Sequence, residues 1–402
     1  MCPWKVGDEI TVTPDALGKR GDSTATVDGW RLRIRGGVPG EAARVRIRHV
    51  SKGGPVAEAD FVGTDAPSPL RREVVCPIHD RCGGCGLQHL DAFDRKVEQA
   101  RQALSGEWGE PIRSPREYGY RTKTFLLSHG GRFGARPPRG SQLVDTAGCA
   151  VLRPEVEAAC ATVRERLDPR AVRTVMVRGN RAGQVQVTLV HRGPAPTFDL
   201  PFETIFTQRH DDDSNRICST EREKLRRGSG AIEETWAGGL RTRIPPTAFV
   251  QGNPDVAEAL YRAAADAVVG ERVTEFYCGS GVAGLMTGLP LLGIDKSPGA
   301  VAIARENARR NGAFDRCRFE AMAAEDYDGP IGDTVLVNPP RAGCHESVLE
   351  RIRGAARVVY LSCNPVTLAR DIDRLGYRVE SLRAADMLPQ TPHLEVLAVL
   401  SP

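Results

Sequence analysis

Between Val6 and Val62, apolar and polar residues alternate in short segments broken by Gly and Pro, a period of two that predicts a small β-barrel. Its clearest segments are Arg31-Leu32-Arg33-Ile34-Arg35 and Arg44-Val45-Arg46-Ile47-Arg48. Each would set three guanidinium groups on one strand face and aliphatic side chains on the other. The run Gly36-Gly37-Val38-Pro39-Gly40-Glu41 reads as the turn between them, which makes the two strands neighbours. Past a linker at Ala66-Pro67-Ser68-Pro69, the stretch from Asp91 to about Trp108 has helical spacing. Val172 to Val190 and Gly230 to Arg243 read as strands, separated by the polar run Arg209 to Arg216, to which no chemistry is assigned.

The last third changes character. An Ala-rich amphipathic helix from Asp255 to Val268 precedes a strand, glycine turn and helix at Val273 to Gly284. The strand Leu291 to Asp295 and the helix Pro298 to Asn311 follow, then Thr334 to Val337 running into Asn338-Pro339-Pro340-Arg341. The apolar run Val358 to Leu361 leads into Ser362-Cys363-Asn364-Pro365-Val366-Thr367 and a further helix. Strands alternating with helices predict a Rossmann-like α/β sheet, whose ligands bind beyond the carboxyl ends of the strands.

A chain of 402 residues with 41% hydrophobic residues predicts two or three globular domains. No apolar run approaches the roughly 20 residues that span a bilayer, and Met1-Cys2-Pro3-Trp4 does not open a signal peptide. The expectation is therefore a cytoplasmic protein without a membrane partner. A net charge of +4 permits a nucleic-acid partner without requiring one.

Eleven cysteines are many for a reducing compartment, and Cys76, Cys82 and Cys85 crowd into ten residues. Their C-x5-C-x2-C spacing, with Gly83-Gly84 letting the backbone wrap closely, suits zinc or an iron–sulfur centre and requires a fourth ligand. Cys363 ends a buried strand on a turn enforced by Asn-Pro and is a candidate nucleophile; Cys278, inside the glycine turn, is a rival. The glycine turn at 279–284 with Asp295 after the next strand suits either a dinucleotide or S-adenosylmethionine, since both present ribose hydroxyls to the acid. Asn338-Pro339-Pro340-Arg341 favours S-adenosylmethionine.

Ser-Cys-Asn-Pro-x-Thr at 362–367 resembles the signature of the RNA (uracil-5-)-methyltransferase family. So do C-x5-C-G-G-C-x2-Q-H at 76–89, Tyr120-Arg121-Thr122-Lys123, and Pro392-His393-Leu394-Glu395. The Val38-Pro39-Gly40-Glu41 turn resembles the TRAM domain, an OB-like barrel. The resemblance implies three parts: an RNA-binding barrel over 1–62, a central α+β iron–sulfur domain over 63–240, and a Rossmann-like methyltransferase domain over 241–402. It implies Cys363 as the nucleophile that attacks the pyrimidine ring and Glu395 as the base. Gln251, Tyr277, Asp295 and Asn338 would hold S-adenosyl-L-methionine. A [4Fe-4S] cluster would sit on Cys76, Cys82, Cys85 and Cys149, with Cys160 as the alternative fourth ligand. The implied partner is RNA, rRNA ahead of tRNA, and the implied state a monomer.

The chain departs from the family pattern at Asn338, where an Asp is usual, and Val282 and Ala323 replace polar cofactor contacts. An amide offers both a donor and an acceptor, so Asn338 leaves 5-methylcytidine as an alternative product to 5-methyluridine. An amino-group methyltransferase is a second alternative, because Asn-Pro-Pro occurs there too, although followed by an aromatic residue where this chain has Arg341. A non-catalytic RNA-binding or folding factor is a third.

Overall fold

The computed structural model describes residues 2–18, 21–137, 140, 142–211, 223–228 and 230–402. Of the polar run over 209–216, residues 212–216 lie outside the described residues. The chain forms two compact units, Met1–Gln99 with Leu388–His393, and Ala100–Met387 with Leu394–Pro402.

In the first unit, β1 (Glu9–Val12), β2 (Ala16–Leu17), β3 (Ser23–Val27), β4 (Trp30–Arg35), β5 (Ala43–Val50) and β6 (Val56–Gly63) form one sheet in the order β1-β5-β6-β4-β3-β2. The period-two pattern holds: Leu32, Ile34, Val45 and Ile47 are buried together while Arg31, Arg44, Arg46 and Arg48 are exposed. The expected hairpin does not form, however. Strand β6 lies between β4 and β5, parallel to β4 and antiparallel to β5. The reason is visible in the facing residues, because β6 brings acids between the two arginine rows: Arg33 stands opposite Glu58, and Arg35 and Arg46 opposite Asp60. Ion pairs Arg46–Glu9 at 2.6 Å and Arg48–Asp60 at 3.1 Å neutralise the face further. It is less basic than the sequence pattern suggests.

The turn after β4 serves a different purpose. The Glu41 carboxylate is fully buried, accepts from the Ser68 amide at 2.8 Å and takes the Arg71 guanidinium in a bidentate pair. The barrel is thereby tied to the segment beyond the linker. That segment carries α1 (His79–Cys82), which ends on left-handed Gly83 at φ 69°. Helix α2 (Phe93–Ala103) is shorter than its spacing predicts, since the backbone at Gly106, φ 149°, is not helical.

In the second unit, β7 (Lys123–His129), β8 (Arg132–Gly134), β9 (Thr174–Gly179), β10 (Val185–His191), β11 (Thr204–Arg209) and β12 (Glu223–Arg227) form a sheet in the order β12-β11-β10-β9-β7-β8. Helix α3 (Pro154–Arg166) covers it with Val156, Ala159, Cys160 and Val163 against Val175, Val177, Val187 and Leu189. The hairpin of β13 (Ile232–Thr235) and β14 (Arg241–Ile244) leads to α4 (Pro254–Asp266), capped by the Asn253 side chain.

The remaining elements are β15 (Val273–Phe276), α5 (Val282–Met286), β16 (Leu291–Asp295), α6 (Pro298–Arg310), β17 (Cys317–Ala321), β18 (Thr334–Val337), α7 (Glu346–Ile352), β19 (Arg357–Ser362), α8 (Pro365–Leu375), β20 (Arg378–Ala385) and β21 (Glu395–Ser401). Their seven strands run β17-β16-β15-β18-β19-β21-β20, the first five parallel and β21 antiparallel to both neighbours. Strand order reverses at β15, so a crevice opens beyond the carboxyl ends of β15 and β18. Among the described residues, no helix is long and apolar enough to cross a membrane.

Burial alone would raise the Glu41 carboxyl, but the Arg71 and Ser68 contacts outweigh it and hold it below its ordinary value. Glu41→Ala should therefore cost the first unit about 3–5 kcal/mol by stranding Arg71, read by urea unfolding through Trp4 and Trp30 fluorescence. In the unsubstituted chain the contribution is full above the unfolded carboxyl value of about 4.3. It fades as pH falls through the lower folded value. Equal midpoints for both proteins at pH 7 would contradict this.

Candidate active site

Four parallel strands deliver their C-terminal residues to one edge: β15 gives Tyr277, β16 gives Asp295, β18 gives Asn338 and β19 gives Cys363. Glu395 reaches the same edge by the opposite route. Strand β21 runs antiparallel to β19 with Val396 opposite Ser362, so one further step of that register sets Glu395 opposite Cys363.

The turn around Cys363 is built by its own motif. Ser362 Oγ donates to the Asn364 carbonyl at 3.1 Å and accepts from the Asn364 amide at 3.2 Å. Asn364 Oδ1 caps α8 by accepting from the Val366 amide at 3.2 Å, and Pro365 occupies the first helical turn, where no amide hydrogen is needed. Asn364 Nδ2 and Thr367 Oγ1 both donate to the Arg341 carbonyl, at 3.1 and 3.3 Å. The Ser-Cys-Asn-Pro-x-Thr segment thus fixes the Asn-Pro-Pro-Arg segment beside it.

A second clamp holds the chain after Arg341. Buried Asp371 accepts from the Cys344 amide at 2.8 Å and from the Tyr360 hydroxyl at 2.6 Å, while Arg370 bridges it to the Ala342 carbonyl at 2.7 Å. Gly343, at φ 85°, is needed here because a Cβ would strike Arg370 and Asp371. Tyr277 has the left-handed backbone of a strained strand-to-helix turn, φ 61°, and hydrogen-bonds the His345 backbone from the other side.

These supports place a cation and two acids together. Burial, and then the charge of Glu395, push the Cys363 thiol above its ordinary value, while the charge of Arg341 and its hydrogen bond to the thiol oppose them. Burial raises the Glu395 carboxyl to about 7, again opposed by Arg341. Arg341 was visible in the sequence as part of a motif but was not marked as a site residue.

The cofactor side of the crevice is ordered by backbone donors. Asp295 accepts from the Gly279 amide at 3.0 Å and the Ser297 amide at 2.9 Å, which leaves each carboxylate oxygen a further lone pair for a ribose hydroxyl. Gly281 lies against Phe319 and Gly284 against Glu275 and Leu291, both too close for a Cβ. Glu275, fully buried beneath the turn, accepts from the Gly284 amide at 3.1 Å, and burial lifts its carboxyl to about 8. Nothing in an apolar strand marked that residue beforehand. Gln251 hydrogen-bonds the buried Tyr261 hydroxyl, which lies within reach of the Glu395 charge. Thr122 of the Tyr-Arg-x-Lys segment secures the neighbouring turn by donating to the Gly252 carbonyl at 2.9 Å. Asn338 is half-buried. Cys278 is buried, and its thiol is raised well above its ordinary value by that burial and then by Glu275, so it is a packing residue rather than a nucleophile. Val282 is buried and Ala323 precedes a short helical turn, so neither contributes a polar side chain.

Cys76, Cys82 and Cys85 belong to the first unit and Cys149 to the second. Gln88 Oε1 accepts from the Cys76 amide at 3.1 Å. Cys149 packs with Cys160 against the α3 core, and burial pushes the Cys160 thiol up to about 12. Among the described residues no three His, Cys, Asp or Glu side chains converge as a metal-holding group. The donor set, four thiols, nevertheless has the chemistry of an iron–sulfur ligand set.

Comparison with known proteins places residues 316–401 under a family model described as tRNA (uracil-5-)-methyltransferase. The tRNA (uracil(54)-C(5))-methyltransferase of Pyrococcus horikoshii is 31% identical over 83% of this chain and 87% of its own. The 23S rRNA (uracil(1939)-C(5))-methyltransferase of Acidithiobacillus ferrooxidans is 29% identical over 96% of both chains. The crystal structure of Pyrococcus abyssi tRNA (uracil-54, C5)-methyltransferase with S-adenosyl-L-homocysteine superposes with a TM-score of 0.81 at 26% identity, covering 97% of this chain and 100% of that one.

The opposed influences of Glu395 and Arg341 on Cys363 can be measured directly. Iodoacetamide alkylation of Cys363, followed by peptide mass across pH, should accelerate severalfold near neutrality in Glu395→Gln and slow in Arg341→Ala. Identical profiles in the three proteins would separate these groups from the thiol.

Proposed function

Because the chain belongs to the uracil-5 RNA methyltransferase family, we propose that Cys363, Glu395 and Arg341 form its reaction centre. The chain is an S-adenosylmethionine-dependent RNA (uracil-5-)-methyltransferase, and the observation that carries the residue assignment is the register that sets Glu395 opposite Cys363. S-adenosylmethionine, when bound, supplies an electrophilic methyl group on a sulfonium. Asp295 would hold its ribose, with Gln251, Tyr277 and Asn338 lining the rest of the crevice.

Carbon 5 of uracil is too weak a nucleophile to take that methyl unaided. The Cys363 thiolate would add to carbon 6, forming an S–C bond and moving the ring's electron pair to carbon 5, which would then take the methyl as the S–CH3 bond breaks and the sulfonium leaves as a neutral thioether. Glu395 removes the carbon 5 proton, and the released pair restores the double bond and expels the thiolate. A carboxyl raised to about 7 is well matched to this transfer near neutral pH. Arg341 favours the thiolate and the ionised, proton-accepting form of Glu395, in part against burial. The target base must leave its stack to reach Cys363, which favours loops or flipped nucleotides. Asn338 can offer its carbonyl oxygen to the uracil N3 proton and its amide to the adjacent carbonyl.

We take rRNA ahead of tRNA as substrate, on the fuller sequence alignment with the 23S rRNA enzyme, and we read the protein as a monomer acting in the cytoplasm. The domain division at 62 and 240 is likewise our reading. The first sheet ends at Gly63, which supports the division at 62, whereas the division at 240 falls within the β13–β14 hairpin. For the cysteines we propose a [4Fe-4S] cluster held by Cys76, Cys82, Cys85 and Cys149, structural in role because methyl transfer from a sulfonium involves no redox step.

Cys363→Ala should abolish turnover while S-adenosylhomocysteine affinity persists, and Glu395→Gln should leave protein covalently attached to methylated RNA. Nucleoside mass analysis should give 5-methyluridine, retained in Asn338→Asp. A 5-methylcytidine product would favour the second reading that Asn338 motivates, and an active Cys363→Ala enzyme would end the covalent scheme. Protein purified anaerobically should contain about four iron and four sulfide per chain. Zinc without sulfide would overturn the cluster.

A further inference from the structure

Strands β20 and β21 are consecutive and antiparallel, with Ala385 opposite Glu395, and the chain from Asp386 to Leu394 connects them. That connection is longer than the roughly 2–5 residues of an ordinary hairpin loop, so turn geometry alone does not order it. Both strands belong to the second unit, but Leu388–His393 belongs to the first. The chain therefore leaves the second unit after Met387 and re-enters it at Leu394, one residue before the proposed base. Glu395 is the first residue of β21, so strand pairing orders the chain on its C-terminal side only. Order on the other side has to come from the residues around 388–393.

Those residues lie in the first unit. Gln390 is left-handed at φ 67°, a conformation that persists in a non-glycine residue only where its surroundings impose it. The Leu87 amide, just beyond Cys85, donates to the Gln390 carbonyl at 3.0 Å. Lys96, on α2, donates from Nζ to the Thr391 carbonyl and to the His393 carbonyl, each at 3.2 Å. It is 4% exposed, and an ammonium is costly to enclose unless its donors are met. The two carbonyls take two of its three N–H donors. Pro392 lies between them, its ring fixing φ near −65°. From Thr391 to His393 the chain is thus stiffened by the proline and held on both sides of it by one ammonium, with only the buried Leu394 before Glu395.

We propose that Lys96 is a positioning residue for the proton-abstraction step: by holding the Thr391 and His393 carbonyls it fixes the chain that enters Glu395, and with it the direction of that carboxylate. Lys96 acts through the covalent chain alone, and no contact with substrate is invoked. The inference rests on the reading of Glu395 as the base and gives the cysteine-bearing unit a part in that step. It also gives the Pro-His portion of the Pro-His-Leu-Glu motif a task, since Pro392 stiffens the segment and His393 contributes the carbonyl nearest to the base.

Single-turnover assays of the full-length protein separate the two steps, because S-adenosylhomocysteine appears with methyl transfer whereas free methylated RNA appears only after the carbon 5 proton is removed. Lys96→Met keeps the length and apolar stem of the side chain and removes its donors. It should leave S-adenosylhomocysteine formation and affinity unchanged while release of free product slows by about tenfold to a hundredfold, the scale of a small misplacement set from a distance. A methylated covalent complex on Cys363 should accumulate meanwhile. Should Lys96→Met fail to fold, Lys96→Gln, which is neutral and retains an N–H donor, is read in the same way, with a smaller accumulation expected. A purely structural lysine would slow both steps together, and that result, or release at the unsubstituted rate, overturns the inference. An adduct in Glu395→Gln without one in folded Lys96→Met removes the role of Lys96 alone, whereas the absence of an adduct in Glu395→Gln removes the base assignment on which it rests.

Discussion

The antiparallel pairing of β21 against β19 is the constraint on which the proposed reaction centre depends. A parallel strand could bring only its C-terminal residue to the crevice. Because β21 runs the other way, its first residue, Glu395, arrives there instead, one step beyond the Val396–Ser362 pair as Cys363 is one step beyond it on β19. A slip of one residue would turn Glu395 to the opposite face of the sheet and place Leu394 or Val396 at the nucleophile. The register is well protected, since Val396 through Leu400 are buried on both faces between β19 and β20.

Electrostatics explains why the loop after β18 is clamped so heavily. Burial raises the proton affinity of both the Cys363 thiol and the Glu395 carboxyl, and the charge of Glu395 raises that of the thiol further, whereas the proposed chemistry needs each as an anion in turn. Arg341 resolves the conflict by favouring both charged forms. Its backbone is accordingly fixed from α8 by Asn364 and Thr367, and the residues after it by Asp371 and Arg370. In the Ser-Cys-Asn-Pro-x-Thr segment Ser362, Asn364 and Thr367 each have a defined bond, which leaves the cysteine as the proposed nucleophile.

What could be read from the sequence follows the range of the interactions involved. Strand β4, strand β5 and the helices after β15 and β16 declared themselves by periodicity and caps, because those signals are local. The order of the barrel strands did not, since placing β6 between β4 and β5 depends on Glu58 and Asp60 meeting arginines distant in sequence. The α2 helix was overextended by spacing alone, and Gly106 supplied the stop. Within the crevice, Cys363, Asp295 and Asn338 were legible from strand-end motifs, and Glu395 from a family resemblance. Glu275 and Arg341 were not: one is an acid hidden in an apolar strand, the other an exposed residue whose role exists only through its neighbours.

The central claim is that Cys363 adds to the ring and Glu395 then takes the carbon 5 proton. RNA in which the target uridine carries fluorine at carbon 5 has no such proton to give, so the adduct should persist after methyl transfer. Mass mapping of the protein incubated with this RNA and S-adenosylmethionine should find the Cys363 peptide carrying the nucleotide together with the added methyl. A failure to form any adduct, or an adduct on a different residue, would contradict the account.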